Sequence, residues 1–401
     1  MRETEFFGSL LGLTSEWSVA SVELVEEAKS VRIWVEHSGV ARCPVCGESC
    51  SVYDHSAERM WRHLDTMQFM TFVVCKVPRV NCPRDGVKQI EVPWAGPKSR
   101  FTAMFERVAI ELLSLTRCQS RSARILRLSA GQVHDIMHRA VKRGLARRDV
   151  GAIHHVSLDE KSFHKGHVYG TVLVDVLGKR VLDVVFGRDE SATRELLGSL
   201  PKPEEVKTVT IDMLQAYKNA VHAELPKAEV IHDRFHVAMN LNRAVDQVRR
   251  AEVKRQPALK GSRFVWLRNP ETRSPSQNAD FDYLMNLELR TSKAYALKQV
   301  FRHFFEQDDI DSAARFFQEW HQEVKAAELR PVSQVAKMLE VNIKGLLAYV
   351  KHKLTNGYAE AVNALIQEIK TVARGFRRFE GFQVAILFFL GKLELNPCKT
   401  S

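Results

Sequence analysis

The sequence predicts a multidomain α+β protein, and three observations carry that prediction. Five of the seven cysteines, Cys43, Cys46, Cys50, Cys75 and Cys82, fall in one stretch of short β-like runs. Helical apolar spacing then takes over between Ala103 and about Arg148, and from 153 to about 237 short alternating runs are interleaved with helical ones. In chain order this implies a small metal-binding domain, a helical module, and a sheet with helices laid on it.

Composition sets the outer limits. A chain of 401 residues, 45% hydrophobic and 27% charged, has room for several domains with ordinary cores. Its net charge of +11 favours a polyanionic partner such as nucleic acid, although ribosomal and membrane-surface proteins share that balance. Apolar runs such as Val384 to Leu390 fall far short of the roughly 20 residues that span a bilayer. Glu3 and Glu5 stand where a signal peptide would be basic, so the expected location is the cytoplasm, with no membrane partner. An odd, locally concentrated set of cysteines fits a reducing compartment and metal binding better than a disulfide framework.

Residues 1–92 are expected to form a zinc-ribbon-like domain. "CPVCG", 43 to 47, is a CxxC knuckle, and "CPRDG", 82 to 86, copies it with Asp85 in place of a cysteine. A carboxylate oxygen binds Zn²⁺ at about 2.0 to 2.2 Å, so the expected ligands are Cys43, Cys46, Cys82 and Asp85; a degenerate ribbon without metal is the alternative. Cys75 precedes Cys82 by seven residues of extended chain at about 3.3 Å each, which puts it on the order of 20 Å away. Cys50, Cys75, Cys118 and Cys398 read as core or incidental thiols. "VPWAGPKSRFT", 92 to 102, is a linker, and 103–150 reads as a helix-turn-helix with Gly131 in the turn. Val133, Ile136, Met137 and Val141 form the buried stripe of its second helix. Gln132, His134, His138, Arg139, Lys142 and Arg143 remain for DNA, with Gln132 or Arg139 suited to base edges, unless the face is simply a basic connector.

The region 151–239 orders strand, strand, strand, helix, strand, helix, strand, from "HHVSLDE" through "YGTVLVDV", "RVLDVVFG" and "VKTVTID" to "AEVIHD". An antiparallel meander passing into parallel crossovers gives a mixed sheet and suits a ribonuclease H-like fold. Two of these runs end on an acid, Asp159 and Asp212. Either the acids begin turns and cap helices, or they share a divalent cation that offsets their repulsion. Mg²⁺ is suited to the second role, since it takes one or two carboxylates plus phosphate oxygens. A third acid comes from the helix "YAEAVNALIQEIKTVARGF". There Val362, Leu365, Ile366, Ile369 and Val372 make the apolar stripe, while Glu360, Asn363, Gln367, Lys370 and Arg374 share another face that is otherwise a solvated one. Glu160 should point away from Asp159, and Glu368 lies off the Glu360 face. Asp233, Arg234 and His236 either support the site and touch DNA or form a turn. Trp266 either stacks on a base or is buried. Arg374, Arg377 and Arg378, beside Phe376 and Phe379, suit phosphate contacts.

Together "SLDEKSF", "TIDMLQAYKNAV", "HDRFHV", "SRFVWLRNP" and "TNGYAEAVNALIQEIKTVARGFRRFEGF" resemble the DDE transposases of bacterial insertion sequences, in the branch called the ISL-three family. The resemblance implies that Asp159, Asp212 and Glu360 are the catalytic triad holding Mg²⁺ (or Mn²⁺). It also implies that 240–350 is a helical insertion, that 351–401 supplies the last helices of the catalytic core, and that the N-terminal segment binds Zn²⁺. The expected partners are double-stranded DNA, as the terminal inverted repeats and the target, and further copies of the chain in a dimer or higher assembly at the bacterial nucleoid. The expected function is repeat binding followed by Mg²⁺-dependent strand cleavage and transfer. A catalytically inactive, domesticated regulator is the alternative, as is a structure-specific nuclease of the same fold, which has no need of ribbon and helix-turn-helix.

Overall fold

The computed structural model describes residues 2–164, 166, 168–353 and 357–397; the helix break expected at Thr355-Asn356-Gly357 falls largely outside them, and Cys398 entirely so. The chain divides into two compact units, one of residues up to 148 with 371–375 and 392 onward, the other of 149–370 with 376–391. Among the described residues no helix is long and apolar enough to cross a membrane.

The first unit opens with α1 (Glu3–Leu11) and seven strands: β1 (Trp17–Val25), β2 (Ser30–His37), β3 (Val52–His55), β4 (Arg59–Thr66), β5 (Phe69–Cys75), β6 (Pro78–Cys82) and β7 (Gly86–Gln89). They form a four-stranded sheet ordered β1-β2-β5-β4 and a three-stranded sheet ordered β3-β6-β7. Alternating apolar positions on the larger sheet build a core around Ile33, Trp61 and Val73, where Trp94 meets Trp17 and Trp61 edge-on at 4.8 and 5.6 Å. Helices α2 (Ala103–Thr116), α3 (Gln119–Leu126) and α4 (Ala130–Arg147) follow. The turn between α3 and α4 is not where glycine suggests. Arg127 takes the left-handed conformation at φ +53°, and Ser129 starts α4 with a reciprocal cap to Gln132, so Gly131 lies inside the helix.

In the second unit β8 (His155–His164), β9 (Val168–Asp175), β10 (Arg180–Phe186), β11 (Thr208–Ile211) and β12 (Glu229–His232) form one sheet ordered β10-β9-β8-β11-β12. The first three strands are antiparallel and the last two run parallel to β8. Helices α5 (Glu190–Gly198) and α6 (Gln215–Glu224) cover it, with Leu158, Leu196, Val209 and Tyr217 in the shared core. Seven further helices run from α7 (Arg234–Glu252) through α8 (Arg263–Leu267), α9 (Pro275–Met285), α10 (Arg290–Phe301), α11 (Ile310–Ala326) and α12 (Arg330–Val341) to α13 (Ile343–His352). They close on their own core, in which Trp266, Phe301, Phe304 and Trp320 are at most 1% exposed. Last come α14 (Gly357–Val372) and α15 (Phe379–Leu390).

One strand differs from its sequence pattern in a way that matters. β8 does not stop at its acids: it stays paired with β9 to His164, with Asp159 opposite Val172. Its pairing with β11, however, ends at Ser157. Asp159 is therefore in mid-strand on one side and beyond the end of the ladder on the other, facing the place where β11 gives way to Asp212.

Candidate active site and metal centre

The acidic site is assembled at that gap. The side chain of Asp159 is 16% exposed and that of Asp212 29%, and one imidazole touches both: His236 Nε2 lies 3.9 Å from Asp159 Oδ1, and its Nδ1 lies 3.5 Å from Asp212 Oδ2. The Nδ1 is buried yet lacks hydrogen-bond geometry to any partner. His236 is delivered by the first turn of α7, which begins where the buried Asp233 accepts the Phe235 N–H at 3.0 Å. Each aspartate is also oriented by backbone: Glu160 N donates to Asp159 Oδ1 at 2.7 Å, and Met213 N donates to Asp212 Oδ1 at 2.6 Å. Burial pushes the Asp159 carboxyl above its usual range, against the hydrogen bond from Asn363 and the charge of His236.

Helix α14 supplies the third side. Asn363 donates to Asp159 Oδ2 and Lys370 to the Ser162 carbonyl, so this row of α14 faces β8. Glu360 stands one turn before Asn363 with an exposed side chain. Arg374 does not continue the row, because α14 ends at Val372 and Arg374 takes a left-handed backbone at φ +56°. Glu160 points elsewhere, paired with Arg188 at 3.0 Å. Trp266 is fully buried and donates its indole N–H to Ser262 at 3.1 Å, so it is not available for stacking. Arg377 and Arg378 are exposed at the start of α15.

Two carboxylates, one of them displaced upward by burial, are oxygen donors of the kind that Mg²⁺ or Mn²⁺ takes. Among the described residues the acids are not closed around a common point. That closure is seen only in the first unit, where ligand atoms of Cys43, Cys46, Cys82 and Asp85 lie within 4.8 Å of one another. The knuckle between β2 and β3 and the β6–β7 turn carry them, each turn completed by a glycine at positive φ, Gly47 at +73° and Gly86 at +72°. Cys46 Sγ and Cys82 Sγ are 3.5 Å apart, and Asp85 Oδ2 lies 3.2 Å from Cys43 Sγ and 3.4 Å from Cys82 Sγ. A tetrahedral Zn²⁺ with ligands at about 2.1 to 2.3 Å has edges of about 3.6 to 3.8 Å, so the four residues fit it with little movement. Hydrogen bonds from the thiols of Cys46 and Cys43 hold the Asp85 carboxyl below its ordinary range. Cys75 is outside the group, its buried thiol pushed up to about 12 by desolvation.

On α4, several residues expected to meet DNA have partners in their own unit. Arg139 donates to Glu106 at 2.7 and 3.1 Å, and Arg143 donates to the Leu395 carbonyl at 2.7 and 3.1 Å. Gln132 accepts the Ser129 N–H at 2.9 Å as the capping residue. The exposed cation of that face is Lys142, flanked by the half-buried His134 and His138.

Comparison with known proteins matches successive stretches of the chain. A family model described as "Transposase" matches residues 156–386, more than half of the chain. One described as "zinc-finger of transposase IS204/IS1001/IS1096/IS1165" matches 39–85, and one described as "Helix-turn-helix domain of transposase family ISL3" matches 90–141. The transposase for insertion sequence element IS1001 of Bordetella parapertussis is 28% identical over 94% of this chain and 96% of its own length. The transposase for IS1557 of Mycobacterium tuberculosis is 25% identical over 94% of this chain and 93% of its own. A chain of the simian T-cell lymphotropic virus intasome in complex with PP2A regulatory subunit B56 gamma, 16% identical, covers 45% of this chain and 66% of that one at a TM-score of 0.18, too low to bear on the fold.

Proposed function

The chain belongs to the ISL3 family of transposases, and from that premise we propose that it binds the terminal inverted repeats of an insertion sequence and cleaves and transfers DNA strands through Asp159, Asp212 and Glu360. The observation that carries the reading is the His236 ring at the β8–β11 gap, which lies against Asp159 on one side and Asp212 on the other. The strand order, antiparallel meander then parallel crossovers, supports a ribonuclease H-like core of 151–239 and 351–401, with 240–350 as its helical insertion. Residues 1–92 are its N-terminal domain, which carries the ribbon, and 103–150 its helix-turn-helix.

Asp159 and Asp212, with Glu360 from α14, would hold Mg²⁺ or Mn²⁺, which would supply charge stabilisation to the attacked phosphoryl group. The chain's own residues prepare that site. Asn363 and the Glu160 N–H fix the two oxygens of Asp159, and the Met213 N–H fixes Asp212. The His236 ring spaces the two carboxylates. Water, then a 3′ hydroxyl, is the nucleophile. Cys43, Cys46, Cys82 and Asp85 would hold a Zn²⁺ that fixes the ribbon. Because two element ends are joined, the working form is a dimer or higher assembly on target and repeat DNA, in the cytoplasm at the nucleoid.

Cleavage of a duplex bearing the element end, with Mg²⁺, tests this. Asp159→Asn is expected to lower cleavage at least about a thousandfold while duplex affinity is kept. Cleavage equal to wild type overturns the assignment.

A further inference from the structure

The surface of α7 that begins at the acidic site continues as a groove of about 430 Å³ between α7 and α8. Its α7 side runs from Phe235 to Arg250, which at 1.5 Å per residue is about 22 Å of helix. One exposed ring, Phe235, lines the groove, and a second, Phe264, adjoins its lining residue Arg263. Phe235 is 55% exposed and Phe264 56%, in a helical region whose tryptophans, Trp266 and Trp320, are at most 1% exposed. Phe235 touches the His236 ring edge-on with centroids 5.7 Å apart, so one end of the groove abuts the residue that spaces the two aspartates. Phe264 stands on the α8 side, where the Arg263 guanidinium lies 5.6 Å from its ring centroid.

The charge of the groove has one sign in excess. Arg243, Arg250 and Arg263 line it against a single acid, Asp246, which Arg249 holds at 2.7 and 3.0 Å and Arg263 approaches at 3.7 Å. Exposed ring faces beside guanidinium groups match the two repeating elements of an unpaired nucleic-acid strand, flat bases and phosphates. A buried protein helix offers no such regular negative charge.

We infer that this groove holds single-stranded DNA adjoining the cleavage position, with bases stacked on Phe235 and Phe264 and phosphates met by Arg243, Arg250 and Arg263. The inference rests on the function proposed above, and it assigns to Phe264 the stacking that the buried Trp266 cannot perform. It predicts that an end with an unpaired tail binds more tightly than the same blunt duplex.

The test uses full-length protein carrying Asp159→Asn, so that DNA stays intact, and an end duplex with a short tail containing 2-aminopurine. The tail is expected to add affinity and its fluorescence to be quenched on binding. Phe264→Leu should reduce the tail's advantage by about 5- to 100-fold and relieve the quenching, and Phe264→Trp should restore both. A Phe235→Ala, Phe264→Leu double variant that melts like its parent yet keeps the tail's advantage and the quenching overturns the inference. So does a double variant that keeps the quenching but loses self-association in sedimentation, which makes the surface a contact between copies. The two readings fail separately. Cleavage unaffected by Asp159→Asn with quenching still dependent on Phe264 removes the proposed chemistry and keeps the groove; Asp159-dependent cleavage without a tail effect does the reverse.

Discussion

Asp159 carries a charge in a place that discourages one. Its carboxyl is raised by burial and kept serviceable by Asn363 from across the fold. Asn363→Ala should therefore lower cleavage and move its pH profile upward, since the lost hydrogen bond favoured the carboxylate. A drop in cleavage with an unmoved profile contradicts that positioning role. Glu160→Gln should leave cleavage within a few-fold of wild type, because Glu160 only forms a partly exposed pair with Arg188, worth at most about 1 kcal/mol. Away from the acidic site, the His63 imidazole is lowered to about 4 by burial, then by the Arg62 charge. The unfolded chain takes up a proton there below about 6.5, whereas the folded one resists until about 4. Stability from this residue is thus complete above about pH 6.5 and is lost as pH falls toward 4. His63→Gln, which retains a partner for Thr102 in place of the present 2.9 Å bond, should flatten the decline of the melting temperature over that range. At this scale the sequence was informative about charge and alternation: they separated Asp159 from Glu160. They could not show that His236 sits between two aspartates distant in the chain, because that contact depends on where α7 starts relative to β8 and β11.

The elements show where pattern reading reaches its limit. Alternation and helical period recovered β8, β11 and α14 because each has one buried face. The same alternation ended β8 at its acids, whereas pairing with β9 carries the strand to His164. Hydrogen bonding to a partner strand extends an element through polar residues that local pattern treats as a stop. In α4, spacing put Arg139 and Arg143 on the outer face, but the nearly buried Glu106 draws Arg139 inward, and Leu395 holds Arg143. Glu106→Ala should cost about 1 to 3 kcal/mol in unfolding experiments, since it removes the buried acceptor of Arg139 and Ser99. Lys142→Ala should leave stability within about 0.5 kcal/mol and lower the salt dependence of duplex binding by about one counterion. The ribbon was legible from CPVCG and CPRDG, and the structure places Asp85 against Cys43 and Cys82. Asp85→Cys should retain one Zn²⁺ per chain by metal analysis and resist chelators better than the parent, because thiolate is the softer ligand. Asp85→Ala should lose metal and become protease-sensitive in 39–89. The four-stranded sheet beside the ribbon was not foreseen, since its strands carry no chemical motif.

For the whole molecule, an excess of 11 positive charges and three matched transposase segments belong to a protein that works on DNA. Their order along the chain puts recognition modules first and the acidic sheet after them. The helices from α7 to α13 form a separate core, yet the first turn of α7 carries His236, so folding of that region and the placing of His236 against the two aspartates are linked through one helix. Asp159 and Asp212 holding the divalent ion of strand cleavage is the central claim, and single-turnover cleavage of an end duplex by Asp212→Cys, in Mg²⁺ and then in Mn²⁺, tests it most directly. A thiolate disfavours Mg²⁺ and tolerates Mn²⁺. The expected result is cleavage undetectable in Mg²⁺ and partly recovered in Mn²⁺; cleavage at the wild-type rate in Mg²⁺ contradicts the account.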